Sequence, residues 1–381
     1  MVKKNYLSSL DAEVSRLGFG CMRFPTTDDG KIDRAKSNEM LGYAYDHGVN
    51  YYDTAWGYHN GESQIVTGEF LSGKPRESFY LATKLPLWLC KEESDNKRIF
   101  EEQLTNCRVD FFDFYLAHAF NADRYEEYVR LNTHEYLTEM KRQGKIKRLG
   151  FSYHGDLETL RKLLDEFEWD FVQLQVNYFD YAYPKSNARQ EYEMVTTKGL
   201  PCVCMEPVRG GFLANLPDSV RVEMDQFEGA KLSPAAWALR WCMDQENMRV
   251  ILSGMSTLEQ VKENVEVFSG DNDRLTDAER AMIGKVTDTL LAADTVPCTA
   301  CRYCMDCPFG VDIPGVFETY NQYRIFQTPN AFGWQWDNMV KDGHGPEQCT
   351  RCGACEPMCP QNIAIPDQLE RICAEVAALK K

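Results

Sequence analysis

The chain has 381 residues, 44% of them apolar and 12% aromatic, enough to fill one large core and one small one. A formal charge of −16 opposes binding to nucleic acid and to anionic membrane surfaces. No stretch approaches the ~20 apolar residues of a membrane span and no signal peptide opens the chain, so a protein of the reducing cytoplasm is expected.

From the start to about Ala293, short apolar runs alternate with amphipathic stretches. The runs cover residues 17–24, 51–55, 79–85, 113–118, 147–153, 171–178, 201–207 and 249–255, and helix-like segments include 34–47, 96–107, 156–167, 234–244 and 257–268. Several runs are apolar nearly throughout, as strands covered on both faces are. Eight strands alternating with helices suit an α/β fold of the (β/α)8 TIM-barrel type, for which ~250 residues is usual. A doubly wound sheet would want Gly-x-Gly-x-x-Gly after its first strand, and Gly18-Phe-Gly20-Cys-Met-Arg23 breaks that pattern.

Chemistry in such barrels sits at the C-terminal strand ends. Those ends carry Asp53 with Tyr58 just beyond it, then Lys84, then His118. A phenol of pKa ~10 is a poor acid at neutral pH unless a neighbouring ammonium stabilises its phenolate. Asp53 would hold Lys84 charged, and His118 would orient a substrate oxygen. Singly, a buried Lys or His is more often scaffolding, and Tyr58 among aromatics is more often packing. Their joint occurrence at successive strand ends is what points to chemistry.

Arg16-Leu-Gly-Phe-Gly20, Asp53-Thr-Ala-Trp-Gly-Tyr58 with Gly61-Glu-Ser63, Ala82-Thr-Lys84, Tyr115-Leu-Ala-His118 and Gly150-Phe-Ser152 follow one another along the chain. Gly254-Met-Ser256-Thr-Leu-Glu-Gln260-Val-Lys-Glu263-Asn264 completes the series. In order and spacing these stretches resemble the aldo/keto reductase family. The resemblance implies NADPH- or NADH-dependent interconversion of a small-molecule carbonyl and an alcohol, with no metal in the barrel. Carried onto this chain, Tyr58 is the general acid, Lys84 lowers its pKa, Asp53 pairs with Lys84, and His118 positions the substrate oxygen.

The same resemblance implies cofactor contacts from Gly20, Cys21, Met22 and Asp53, from Ser152 and Gln173 at the carboxamide, and from Met205, Glu206, Pro207, Val208, Arg209 and Gly210. Gly254 and Ser256 would also contact the cofactor, and Gln260, Glu263 and Asn264 would hold the adenosine end, with phosphate at the N–H groups that open the next helix. Ser256-x-x-Glu259 is equally an ordinary capping box. Four positions depart from the family. Gly254 and Gln260 stand where members that grip a 2′-phosphate often carry Lys and Arg, which leaves NADP and NAD both open. Ser152-Tyr153 replaces a Ser-Asn pair, and Met205 stands for an aromatic that stacks on the nicotinamide.

Thr276-Asp-Ala-Glu279 is a capping box that opens a closing helix over residues 276–291. A boundary near Ala293 would divide a barrel, residues 1–293, from a small, mainly helical module, residues 294–381. That module carries Cys298-x-x-Cys301-x-x-Cys304-x-x-Cys307-Pro308 and Cys349-x-x-Cys352-x-x-Cys355-x-x-x-Cys359-Pro360. Three thiolates come readily from a loop with two-residue gaps, and the fourth from a Cys-Pro that serves the neighbouring cluster. Two [4Fe–4S] clusters are expected, one on Cys298, Cys301, Cys304 and Cys359, the other on Cys349, Cys352, Cys355 and Cys307. Zinc is the main competitor. The runs repeat beyond their ligands, Val311-Asp-Ile313-Pro314 paralleling Ile363-Ala-Ile365-Pro366. The gap of two before Cys307, where bacterial ferredoxins have three, departs from the pattern. With this module the chain resembles the ferredoxin-containing branch of the family.

A nicotinamide gives two electrons together and a cubane passes one at a time, and the sequence shows no flavin motif to adapt them. Three readings follow: structural clusters beside an ordinary reductase, a one-electron donor such as ferredoxin or flavodoxin feeding the clusters, or an electron-carrying or cofactor-sensing subunit. Phe317, Tyr320, Tyr323, Phe326, Phe332, Trp334 and Trp336 lie between the runs, where they are expected to pack the module onto the barrel or cap its mouth. The remaining cysteines read mostly as small buried hydrophobes.

Overall fold

The computed structural model describes residues 1–270, 274–298, 300–305, 307–359 and 361–379. Pro360 of the second Cys-Pro step, Thr299 and Asp306 of the first run, and Lys380 and Lys381 of the expected module lie outside them. The strands are β1 (Lys4–Leu7), β2 (Ala12–Ser15), β3 (Leu17–Gly20), β4 (Tyr51–Asp53), β5 (Tyr80–Leu85), β6 (Phe112–Phe120), β7 (Ile146–Tyr153), β8 (Phe171–Gln175), β9 (Cys202–Met205) and β10 (Met248–Gly254). β3 to β10 close a parallel barrel in the order β10-β3-β4-β5-β6-β7-β8-β9. All eight expected strands are present, and the fold is the (β/α)8 barrel.

Side chains alternate along a strand, so every second residue faces the barrel axis. Tyr51, Ala82, Phe114, Leu116, Phe171 and Val203 form part of the apolar interior. Two residues further along their strands come Asp53, Lys84, His118, Gln173 and Met205. The site is therefore the next interior layer toward the C-terminal ends. Gly150 permits the closure beside it, because a Cβ there would lie 2.5 Å from the Phe171 carbonyl oxygen.

Two features were not foreseen. β1 and β2 pair antiparallel, Lys4 opposite Ser15, and their Leu7, Leu10, Ala12 and Val14 join the interior cluster. Ser15 N donates to Asn50 Oδ1 at 2.7 Å and Arg148 Nε to Leu10 O at 2.7 Å, so this hairpin plugs the N-terminal end of the barrel. The expected first strand also stops early, at Gly20 and not residue 24. The closing helix Asp277–Leu291 does open on the expected box: Thr276 N donates to Glu279 Oε2 at 2.7 Å and Glu279 N to Thr276 Oγ1 at 3.2 Å.

The chain divides into two compact units, Met1–Gly210 with Ala235–Arg280, and Gly211–Pro234 with Ala281–Lys381. The second is built on helices Ile313–Phe326, Pro329–Lys341 and Ile365–Leu379. Its core includes Val316, Phe317, Tyr320, Phe332, Trp336 and Ile372. The expectation for the aromatic stretch is corrected accordingly: four of its seven rings fill this unit's own interior, while Trp334 is 70% exposed. Among the described residues no helix is long and apolar enough to cross a membrane.

Candidate active site and cysteine cavities

Lys84 is fully buried. Its Nζ donates to Asp53 Oδ1 at 2.5 Å, to the Thr54 carbonyl at 2.9 Å and to Tyr58 Oη at 3.3 Å. Tyr58 follows β4 on a tight 3-10 turn, Tyr58–Gly61, in which His59 and Asn60 adopt left-handed backbone. Buried hydroxyls pin that turn, Ser63 Oγ donating to Cys21 O at 2.7 Å with Thr54 Oγ1 2.8 Å from Ser63 Oγ.

His118 sits at a break in register. Ala117 pairs with Phe151 but Phe120 with Tyr153, so β6 carries one extra residue, and Ala119 takes φ +55°. Such a bulge re-aims side chains beside a site. The His118 ring stands edge-on to Tyr58 at 6.2 Å and lies 5.0 Å from Trp88.

Burial opposes the charge of Lys84, but Asp53 and Tyr58 outweigh it and hold the ammonium above its ordinary range. Burial lifts the Asp53 carboxyl against the pull of Lys84. The Tyr58 phenol stands above the usual tyrosine value because burial outweighs the lowering effect of Lys84. Lys84 thus pulls in the direction that acid chemistry needs, while the net shift is upward. Burial, then Lys84, His154 and Arg124, drives His118 well below its ordinary value and leaves a neutral imidazole.

Asp53 Oδ2, His118 Nδ1 and Gln173 Oε1 are buried without hydrogen-bond partners. Buried polar atoms are normally satisfied, so three orphans in one interior layer leave hydrogen-bonding capacity there for a bound molecule. The Gln173 oxygen suits an amide N–H, as a nicotinamide carboxamide would present, and its Nε2 lies 3.4 Å from Met205 Sδ. Ser152 Oγ accepts from Ala119 N at 2.7 Å. Gly20 pairs with both Asp53 and Gly254. Cys21 is buried, its thiol pushed up to about 12 by desolvation, and Met22 is exposed.

Glu206, Arg209 and Gly210 have left-handed backbone around buried Pro207 and half-buried Val208. This loop hangs on Asp180, a residue the sequence did not single out. Asp180 Oδ1 accepts from Arg209 Nε at 2.9 Å, and Oδ2 accepts from Gln175 and Asn177 at 2.9 and 2.8 Å. After β10 the helix Leu258–Ser269 opens one residue later than the Ser256–Glu259 spacing suggests. Thr257 Oγ1 accepts from Gln260 N at 3.3 Å, and Gln260 Oε1 accepts from Ser256 N at 2.7 Å. Asn264 is buried and donates to Ser253 Oγ at 2.9 Å, while Glu263 is half-buried.

The eight module cysteines line two cavities. Cys298, Cys301, Cys304 and Cys359 border one of about 310 Å³. Cys307, Cys349, Cys352 and Cys355 border another of about 500 Å³, with Cys304 and Ile313 on the wall of both. The two runs match in detail: Ala300 N donates to Cys298 Sγ and Arg351 N to Cys349 Sγ, each at 3.4 Å and each from a left-handed residue. Gly310 N–Cys307 O and Asn362 N–Cys359 O, 2.9 and 3.1 Å, close equivalent turns. Among the described residues no three His, Cys, Asp or Glu side chains group around a single-ion position. Two adjoining hollows, one bordered by four thiols and the other by four more with Cys304 shared, are a donor set that fits cubane clusters.

Comparison with known proteins agrees with this architecture. The model of the Aldo/keto reductase family matches residues 16–288, and that of a 4Fe-4S dicluster domain matches residues 297–364. The chain belongs to the aldo/keto reductase family, as an NAD(P)-dependent oxidoreductase with an appended 4Fe-4S dicluster domain. An NADH-specific methylglyoxal reductase of Escherichia coli (strain K12) is 25% identical over 333 residues, covering 76% of this chain and 99% of that protein. An uncharacterized oxidoreductase of Bacillus subtilis (strain 168) is 23% identical, covering 73% and 94%. In fold the chain is similar to the holo form of an aldo-keto reductase from Bacillus halodurans, with TM-score 0.62, 24% identity, and 75% and 96% coverage. It is also similar to one from Klebsiella pneumoniae in complex with NADPH, with TM-score 0.61, 20% identity, and 75% and 95% coverage.

Proposed function

We propose that the barrel, residues 1–293, reduces a small-molecule carbonyl to an alcohol with Tyr58 as general acid. The observation that carries this reading is Lys84 Nζ, 2.5 Å from Asp53 Oδ1 and 3.3 Å from Tyr58 Oη in the interior layer at the strand ends. Bound NADH or NADPH supplies the hydride. Tyr58 Oη gives its proton to the carbonyl oxygen, and the charge of Lys84 lowers the cost of the phenolate left behind. Asp53 keeps Lys84 protonated. The neutral imidazole of His118 directs an N–H at the same oxygen, and Gln173 with Ser152 orients the carboxamide. Gly254 carries no charge and Gln260 is engaged with Ser256 N, so neither supplies a cation for a 2′-phosphate, while the Arg23 side chain lies against Gly254, and both NADH and NADPH remain candidate donors.

The module, residues 294–381, holds two [4Fe–4S] clusters with exchanged fourth ligands, on Cys298, Cys301, Cys304 and Cys359 and on Cys349, Cys352, Cys355 and Cys307. Six of these cysteines pack against the apolar core of their unit, which supports a structural role. A second reading, electron entry from a ferredoxin or flavodoxin, draws on exposed Tyr303, Phe309 and Met358 around the second cavity.

The test is anaerobic turnover of an aldehyde panel with NADH and NADPH in parallel, with and without a reduced ferredoxin. Tyr58→Phe should lose roughly 10²–10⁴-fold in reduction rate while cofactor affinity stays near that of the parent. Undiminished reduction by Tyr58→Phe removes that phenol from the reaction. A turnover that needs the reduced ferredoxin selects the second reading.

A further inference from the structure

Beside His118, at the ends of β6 and β7, lie a guanidinium and a second imidazole that the reduction chemistry does not use. Arg124 is in the first turn of the helix Ala122–Arg130. Its guanidinium lies over the Trp88 ring, 5.1 Å from the centroid, and its Nη1 donates to the Ala119 carbonyl. Trp88 in turn lies 5.0 Å from the His118 ring, which stands 6.2 Å from Tyr58. His154 follows directly on β7, its backbone N–H bonded to Phe120 O at 2.9 Å, with an exposed side chain.

Three facts make this corner unusual. The chain carries 58 acidic and 42 basic side chains, so carboxylates outnumber the cations available to them. Among the described residues no carboxylate pairs with Arg124, whose partners are a ring and a carbonyl. A cation in a first helical turn also opposes the helix dipole, so local stability does not account for it. Arg124 depresses the titration of both His118 and His154, which places its charge within electrostatic reach of each.

We propose that this corner receives the anionic end of the substrate: the carbonyl compound carries a carboxylate or phosphate, held by Arg124 with His154 beside it, while its carbonyl reaches His118 and Tyr58. The carbonyl end of this assignment rests on the reductase reading above; the anion end does not. A planar guanidinium fixed between a ring and a carbonyl still has N–H groups for a bidentate anion contact, with little ordering cost.

Binding and turnover are measured separately, on the holoprotein. Equilibrium binding and kcat/KM are compared for 4-carboxybenzaldehyde against neutral 4-methylbenzaldehyde, and for glyceraldehyde 3-phosphate against glyceraldehyde. The charged member of one pair should be favoured about 10–100-fold, and the favoured pair names the anion. Arg124→Gln should collapse that ratio, Arg124→Lys, which keeps the charge and loses the planar fork, should retain only part of it, and added salt should weaken it. An equal ratio in parent and Arg124→Gln, with both folded by thermal melting, overturns the proposal. Anion preference in binding without reduction of any aldehyde upholds the anion site and instead sinks the reductase reading.

Discussion

Lys84 carries two tasks that a single substitution separates poorly. It is the counter-charge of Asp53, whose Oδ2 already lacks a partner, and it is the only ammonium the structure sets against Tyr58 Oη among the described residues. Lys84→Met should therefore abolish carbonyl reduction and also destabilise the fold by roughly 3–5 kcal/mol, because a buried carboxylate is left unpaired. Adding Asp53→Asn removes that charge. The double variant is expected to recover most of the urea midpoint and none of the turnover. If Lys84→Met unfolds at the parent's midpoint, the buried pair is not what holds this layer together. Asp53, Lys84 and His118 could be read in the sequence because each falls at the end of an apolar run, where the barrel fixes the direction of the side chain. Trp88, Arg124 and His154 could not. They meet through a bulge at Ala119 and a helix start, and neither leaves a periodic trace.

At the scale of elements, the closing helix shows what local spacing reveals and what it hides. Thr276-x-x-Glu279 announced the helix start, and both box hydrogen bonds form. Nothing in that spacing announced that Glu279 also accepts from Arg240 Nη1 and Nη2, at 2.5 and 3.2 Å, tying the helix to Pro234–Asp244. Glu279→Gln should cost about 3 kcal/mol by stranding a buried guanidinium. Burial opposes the charge of Glu279, but Arg240 and the Thr276 N–H bring its carboxyl below the ordinary range. With the folded pKa depressed, the stabilisation is complete above the unfolded value near ~4.3 and is lost as pH falls through the folded one. The gap between parent and Glu279→Gln in chemical denaturation should therefore be full at neutral pH and close below about pH 4. A gap independent of pH would show that packing, and not the ion pair, holds the helix. The plug hairpin escaped the sequence reading for a related reason. Lys4–Leu7 and Ala12–Ser15 are four-residue strands, too short for alternation to stand out, and their partners lie across the barrel floor.

At the scale of the whole molecule, one polypeptide joins a barrel whose site is a single interior layer to a unit whose interior is completed around two sets of thiols. Each cavity is lined by cysteines of both runs, so neither is assembled until residues some fifty positions apart meet. Iron and acid-labile sulfide on anaerobically prepared protein should be about eight of each per chain, from two cubanes. Cys359→Ser and Cys298→Ser should each lower iron to about four. Combining them tests the wiring. If Cys359 serves the Cys298 set, the double variant has lost one cluster twice and still holds about four irons, whereas Cys359→Ser with Cys349→Ser has lost both and holds almost none. If each run keeps its own fourth cysteine, the two double variants trade outcomes. The measurement reads iron alone and needs no substrate, so it stands whatever the barrel reduces.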